Sequence, residues 1–138
     1  MLLTIRTITD DDAKWRDILR GLNTTFYHQT VTGRQVEDYI SREAGIDLSK
    51  VFAQYLTTTQ IPVFEYRVQV AERGAGMLSY HWANVVPGFD MPVRVTIPGS
   101  GTRTLRPTEA WQTLEVSSPR AAELSVDERF FVTARVAP

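Results

Sequence analysis

Cysteine is absent from this chain of 138 residues, which excludes a disulfide framework, a thiolate nucleophile and a zinc ribbon. Histidine is nearly absent: His28 and His81 are the only two, and no H-x-x-x-H pair occurs to place two imidazoles one helical turn apart on a metal. Lysine is limited to Lys14 and Lys50, and no G-x-x-x-x-G-K-[ST] loop exists to cradle phosphate. An excess of either charge is also missing. With 15 basic and 16 acidic residues the formal net charge is -1, so neither nucleic acid nor an anionic membrane is expected as a partner. Apolar runs fall well short of the ~20 residues that span a bilayer. The opening MLLTIRTITDDD reaches three aspartates too early for a signal peptide. None of this fixes a compartment.

What is present is a chain that changes character near its middle. Hydrophobic residues make up 43% of it, and a length of this order buries about two thirds of its unfolded surface. Up to about residue 58 the apolar spacing is helical. Leu2, Leu3 and Ile5 read as the end of a helix. Thr9 and Asp12 match a capping box that opens a second, whose stripe of Trp15, Ile18, Leu19, Leu22 and Phe26 predicts a helix to about His28. Thr32 and Gln35 repeat the box, with Val31 and Val36 spaced as a hydrophobic staple, and Gly45 supplies the stop. Asp47 is the expected N-cap of a last helix carrying Leu48, Val51, Phe52, Tyr55 and Leu56 on one face.

Residues 57–62, TTTQIP, end the helical pattern, because Pro62 lacks an N–H and biases Ile61 away from the helical region. Strand signals follow at 63–70, 77–84, 93–97, 102–105, 110–116 and 129–136, with turns at ERGAG (72–76) and PGSG (98–101). A meander is the simplest order for them. The expected fold is therefore α+β: about three helices over residues 1–60, then a small antiparallel β-sandwich, Ig-like, of about six strands over residues 61–138.

Candidate chemistry is thin. A zinc site joining His28, His81 and a carboxylate such as Asp90 has no supporting spacing. Glu37 and Asp38 are neighbours on one helix and point roughly 100° apart, poor geometry for a shared proton-transfer task; Glu43 joins them on a solvated face. Ser100 lies between glycines, but two strands flank it, whereas a nucleophile elbow joins strand to helix. Tyr80 and Trp82 share one strand face and, with Phe89 and Trp111, form the candidate aromatic platform of a module that binds peptide or carbohydrate. Burial of that pair in the core is the competing expectation, and exposure discriminates the two. No catalytic, cofactor-binding or metal-ligating residue is assigned.

The order of motifs resembles one family. Met1, Leu2, Ile5 and Arg6 are followed by Phe26, His28, Glu37 and Asp38; then by Gly45, Asp47, Leu48, Ser49, Phe52, Gln54 and Leu56; then by Pro62 and Val63. This series is similar to the late part of the aminopeptidase N family, the gluzincin zinc metallopeptidases. It departs from the family pattern at Tyr55, where tryptophan is usual, at Ala53, where aspartate is common, and at Phe64 in place of leucine. The resemblance is carried by the first half of the chain. It implies that the HExxH helix, the third zinc ligand and the transition-state tyrosine precede Met1, so that zinc belongs to a parent protein and no catalytic position falls here. It further implies partners: the remainder of the parent chain, or a second copy meeting an apolar helix face around Leu2, Leu3, Ile5, Trp15 or Leu19.

Overall fold

The computed structural model describes residues 1–71 and 75–138. Four helices come first: α1 (Leu2–Thr9), α2 (Asp12–Thr25), α3 (Gly33–Ala44) and α4 (Ser49–Thr57). Seven strands follow: β1 (Val63–Val70), β2 (Gly76–Ala83), β3 (Val93–Ile97), β4 (Gly101–Leu105), β5 (Gln112–Val116), β6 (Ser125–Val126) and β7 (Thr133–Val136). The class is α+β, with the helices ahead of two sheets. The helix end expected at the start is α1, which brings the α-helices among the described residues to four. The turn expected at 72–76 lies partly outside the described residues.

Local chemistry explains most helix boundaries. Thr32 accepts from the Gln35 N–H while the Gln35 side chain accepts from the Thr32 N–H, the reciprocal cap that starts α3. Gly45, at φ 70°, ends it in the left-handed region. Thr9, by contrast, does not cap α2. Its hydroxyl donates to the Ile5 carbonyl as the last residue of α1, Asp10 turns the chain at φ 52°, and Asp11 takes the cap by accepting from the Lys14 N–H at 2.9 Å. Helix α2 also stops at Thr25, short of His28, whose φ of 53° no right-handed helix contains. Phe26 there turns its ring edge-on to Tyr39 of α3 at 5.8 Å. Asp47 sits one residue before the backbone N-cap, Leu48, yet its carboxylate still accepts from the Ser49 N–H at 2.9 Å.

The sheets depart from a meander. One has strand order β5-β2-β1-β7 and the other β4-β3-β6. After the antiparallel β1–β2 pair the chain crosses to the second sheet for β3 and β4, returns for β5, and ends with β7 parallel to β1. The physical reason is pairing: β7 follows the free edge of β1, where Thr133 N–H donates to the Pro62 carbonyl and Ala137 N–H to that of Tyr66. At only two residues, β6 is too short for any alternation to announce it.

Strand alternation fixes what each face buries. Phe64 and Tyr66 of β1 stand opposite Trp82 and Tyr80 of β2, and all four point inward against Val93, Val95 and Ile97 of β3. One connected cluster of buried side chains continues from there to Leu48, Val51 and Phe52 of α4 and on to Ile5, Trp15 and Ile18. Ile5 and Trp15 are therefore core residues. The sequence places them in an exposed apolar patch, but the fold buries both, and α1 is docked on the segment before β7, where Thr4 Oγ1 donates to the Arg129 carbonyl and accepts from the Phe131 N–H, both at 3.0 Å.

Candidate functional site

Two constellations rise above ordinary packing. The first is the joint between α4 and β1. Gln54 is fully buried on α4, and a buried amide is costly unless its groups are paired. Its Nε2 donates to the Gln60 carbonyl at 2.8 Å and to the Asn84 carbonyl at 3.3 Å, and its Oε1 accepts from the Val86 N–H at 2.7 Å. One side chain thus ties the helix to the linker leading into β1 and to the loop leaving β2. Asn84, at φ 58°, completes the knot by donating from Nδ2 to the Ile61 carbonyl at 3.0 Å.

Tyr55, the next residue, reaches the other way. Its hydroxyl donates to the Phe131 carbonyl at 2.7 Å, and burial raises the phenol's pKa well above its ordinary value. Helix α4 is consequently held at three places in the sheet region by two adjacent polar side chains. A further seam joins α1 to the second sheet: Arg94 on β3 pairs with Asp10 at 3.1 Å and with Asp127 at 3.7 Å. Asp127 in turn sits 2.6 Å from Arg129, whose hydrogen bond holds its carboxyl below the usual carboxylate range, with Arg94 adding to the effect.

The second constellation lies on the outward face of the first sheet. Glu65 of β1 stands opposite both His81 of β2 and Arg135 of β7. His81 Nε2 is 2.9 Å from Glu65 Oε2, and Arg135 donates to Glu65 Oε1 at 3.2 Å. The bond from His81, followed by the charge of Arg135, keeps the Glu65 carboxyl below its ordinary range against the opposing effect of burial. Trp111 lies across the His81 ring at 4.0 Å, and the Arg67 guanidinium lies 5.0 Å from the Trp111 centroid.

The structure separates the remaining candidates. His28 lies in the loop after α2 and His81 on β2; among the described residues no three His, Cys, Asp or Glu converge as a metal-binding group. The described residues therefore offer no donor set that fits zinc. Asp38 pairs with Arg34 at 3.9 Å on an exposed helix face. Ser100 is at a hairpin tip, its N–H donating to the Ile97 carbonyl. The aromatic platform is overturned by burial: Trp82 is 1% exposed and Tyr80 8%, and Phe89 is inside as well. Trp82 Nε1 donates to the Met91 carbonyl at 3.0 Å, so even its polar edge is used within the core. Trp111, at 42%, is left outside.

Sequence reasoning placed Gln54 only in a motif, with no role. A glutamine on the apolar face of a helix was the available signal. Glu65 went unremarked, because its partners become neighbours only through strand register.

With helices leading into a two-sheet sandwich, the class of the molecule is defined by fold. Among solved structures the chain is similar to aminopeptidase A of Legionella pneumophila, determined in complex with aspartic acid, at a TM-score of 0.73 and 12% identity. The match takes in 99% of this chain and 17% of that one. The likeness is one of fold. No family model matches the sequence, and no curated protein matches it either.

Proposed function

We propose that the chain is a non-catalytic region of a zinc aminopeptidase of the gluzincin class, with residues 1–60 as the helical end of the catalytic domain and residues 61–138 as the sandwich that follows. The observation that carries this reading is the fit of nearly the whole chain onto a stretch amounting to 17% of an aminopeptidase. The ordered motifs from Met1 to Val63 support it independently. The role is mechanical: the joint at Gln54 and Tyr55 sets the angle between helices and sheets, and a set angle is what a wall of a catalytic cleft requires. Zinc and the groups that activate its water belong to other parts of the parent protein.

The partner surface in this reading is the helical one. Leu2 and Leu3 are 54% and 52% exposed and Leu19 is 42% exposed, on helices that bury Ile5, Trp15 and Ile18. Either the remainder of the parent or a second copy covers them. Reading the coding DNA on the Met1 side tests the proposal: an in-frame HExxH with a downstream glutamate is expected, and an in-frame stop directly before Met1 contradicts it. The sandwich-aromatic reading is not retained, since Tyr80 and Trp82 are unavailable to a ligand.

A further inference from the structure

The hydrogen bonds of His81 demand a particular number of protons. Nε2 faces the Glu65 carboxylate at 2.9 Å and Nδ1 faces the Glu109 carbonyl at 3.1 Å. Both partners can only accept, so both bonds are complete only when each ring nitrogen carries a hydrogen, as in the imidazolium. The ring is largely enclosed, with 15% of its side chain exposed, so water replaces a lost partner poorly.

What the ring holds is a strap, residues 106–111, between β4 and β5. The strap has two other anchors: Trp82 N–H donates to the Thr108 carbonyl at 2.7 Å, and Gly88 N–H donates to Glu109 Oε2 at 3.0 Å. Glu109 therefore bridges His81 to the loop whose Val86 N–H is bonded to Gln54. The charged groups around the ring are few. Glu65 and Arg67 come from β1, Arg135 from β7 through the Glu65 carboxylate, and Glu109 from the strap, its carboxylate turned to Gly88; the β5 residue on this face is the uncharged Thr113.

We infer that His81 is a proton-operated latch: doubly protonated, it pins the strap to the sheet, and loss of one ring proton to solvent releases the strap at Glu109 and Trp111. The proton that leaves is the one on Nδ1. The bond to an ionised carboxylate is stronger than one to a neutral carbonyl, so Nε2 keeps its hydrogen and stays with Glu65. The Nδ1 lone pair then faces the lone pairs of the Glu109 carbonyl, and that contact changes from attraction to repulsion. The latch stands or falls independently of the peptidase reading.

The test is a pH titration of the chain labelled with 15N on its two histidines and on its backbone, from mildly acidic to mildly alkaline pH. Both His81 nitrogens should read as protonated at the acid end, and Nδ1 alone should lose its hydrogen as pH rises. With the same midpoint, the Trp111 indole resonance should move and the protection factor of the Trp82 amide should fall about three- to tenfold, the effect of weakening one hydrogen-bonded anchor. H81F should abolish the Trp111 response; if that variant does not fold, the titration of the unaltered chain still decides. Loss of the Nε2 proton first, a ring that keeps both protons throughout, or a strap that stays unchanged while the ring titrates would each overturn the latch.

Discussion

The helices and the sandwich bury their apolar surface differently. Inside the sandwich Phe64, Leu78, Phe89, Met91, Val93, Val95 and Ile97 have no exposed surface at all. The helices pack one face as tightly, through Ile5, Leu48 and Val51, yet leave Leu2, Leu3, Leu19 and Leu56 in solvent. The sandwich closes its core between two sheets and leaves Val70, Trp111, Phe131 and Val136 outside it, whereas the helical layer packs only against the sheets and against itself. The difference teaches that the two parts play unequal roles in stability: the sandwich is the body, and the helices are a layer pinned to it by specific polar contacts.

Breaking the body should have the largest effect. Trp82→Ala removes the largest fully buried side chain together with its bond to the Met91 carbonyl, and a loss of about 3–5 kcal/mol is expected in chemical denaturation. Breaking the joint should cost less. Gln54→Leu keeps the volume roughly but leaves the Val86 N–H without its partner, for an expected loss of about 1–3 kcal/mol. If the helices are a pinned layer, this variant should also raise hydrogen exchange in α4 more than in β3. A contrasting, purely local change is Thr32→Ala, which deletes one half of the α3 capping box and should cost about 1 kcal/mol. Its effect on exchange should stay within α3.

The smallest expected effect is a pH dependence shared by both regions. Glu65 in the sandwich and Asp127 in the seam to α1 have carboxyl pKa values lowered in the fold, chiefly by the hydrogen bonds from His81 and Arg129 respectively. A group depressed in this way adds stability above its unfolded pKa, about 4 for these carboxyls, and that stability is lost as pH falls through the lower folded value. Thermal scans should therefore show a falling midpoint below about pH 4, reduced in a Glu65→Gln variant.

The same division governs what the sequence makes legible. Helix α3 could be read to the residue because its determinants, Thr32, Gln35 and Gly45, lie within the element itself. Strand β3 was equally plain from alternation and β4 from PGSG, while β1 alternates only imperfectly. The β1–β2 and β3–β4 hairpins were legible too, from the turns between them, whereas the place of β7 was not, since nothing local in residues 133–136 says that they will run parallel to β1 rather than beside β5. The Glu65, His81 and Arg135 ladder was hidden for that reason: its members are far apart in sequence and adjacent only through register. Thr9 misled because a capping box and the end of a preceding helix share the same threonine. The pairing of Tyr80 with Trp82 was read correctly as one face, but alternation cannot tell which face meets the second sheet.

The proposal that this chain is scaffolding for chemistry located elsewhere is tested most directly by zinc. Titrating Zn2+ into the purified 138-residue chain, followed by an aminopeptidase assay on the titrated sample, should reveal no stoichiometric tight site and no turnover. A one-to-one, chelator-sensitive zinc site accompanied by release of N-terminal amino acids would contradict the account.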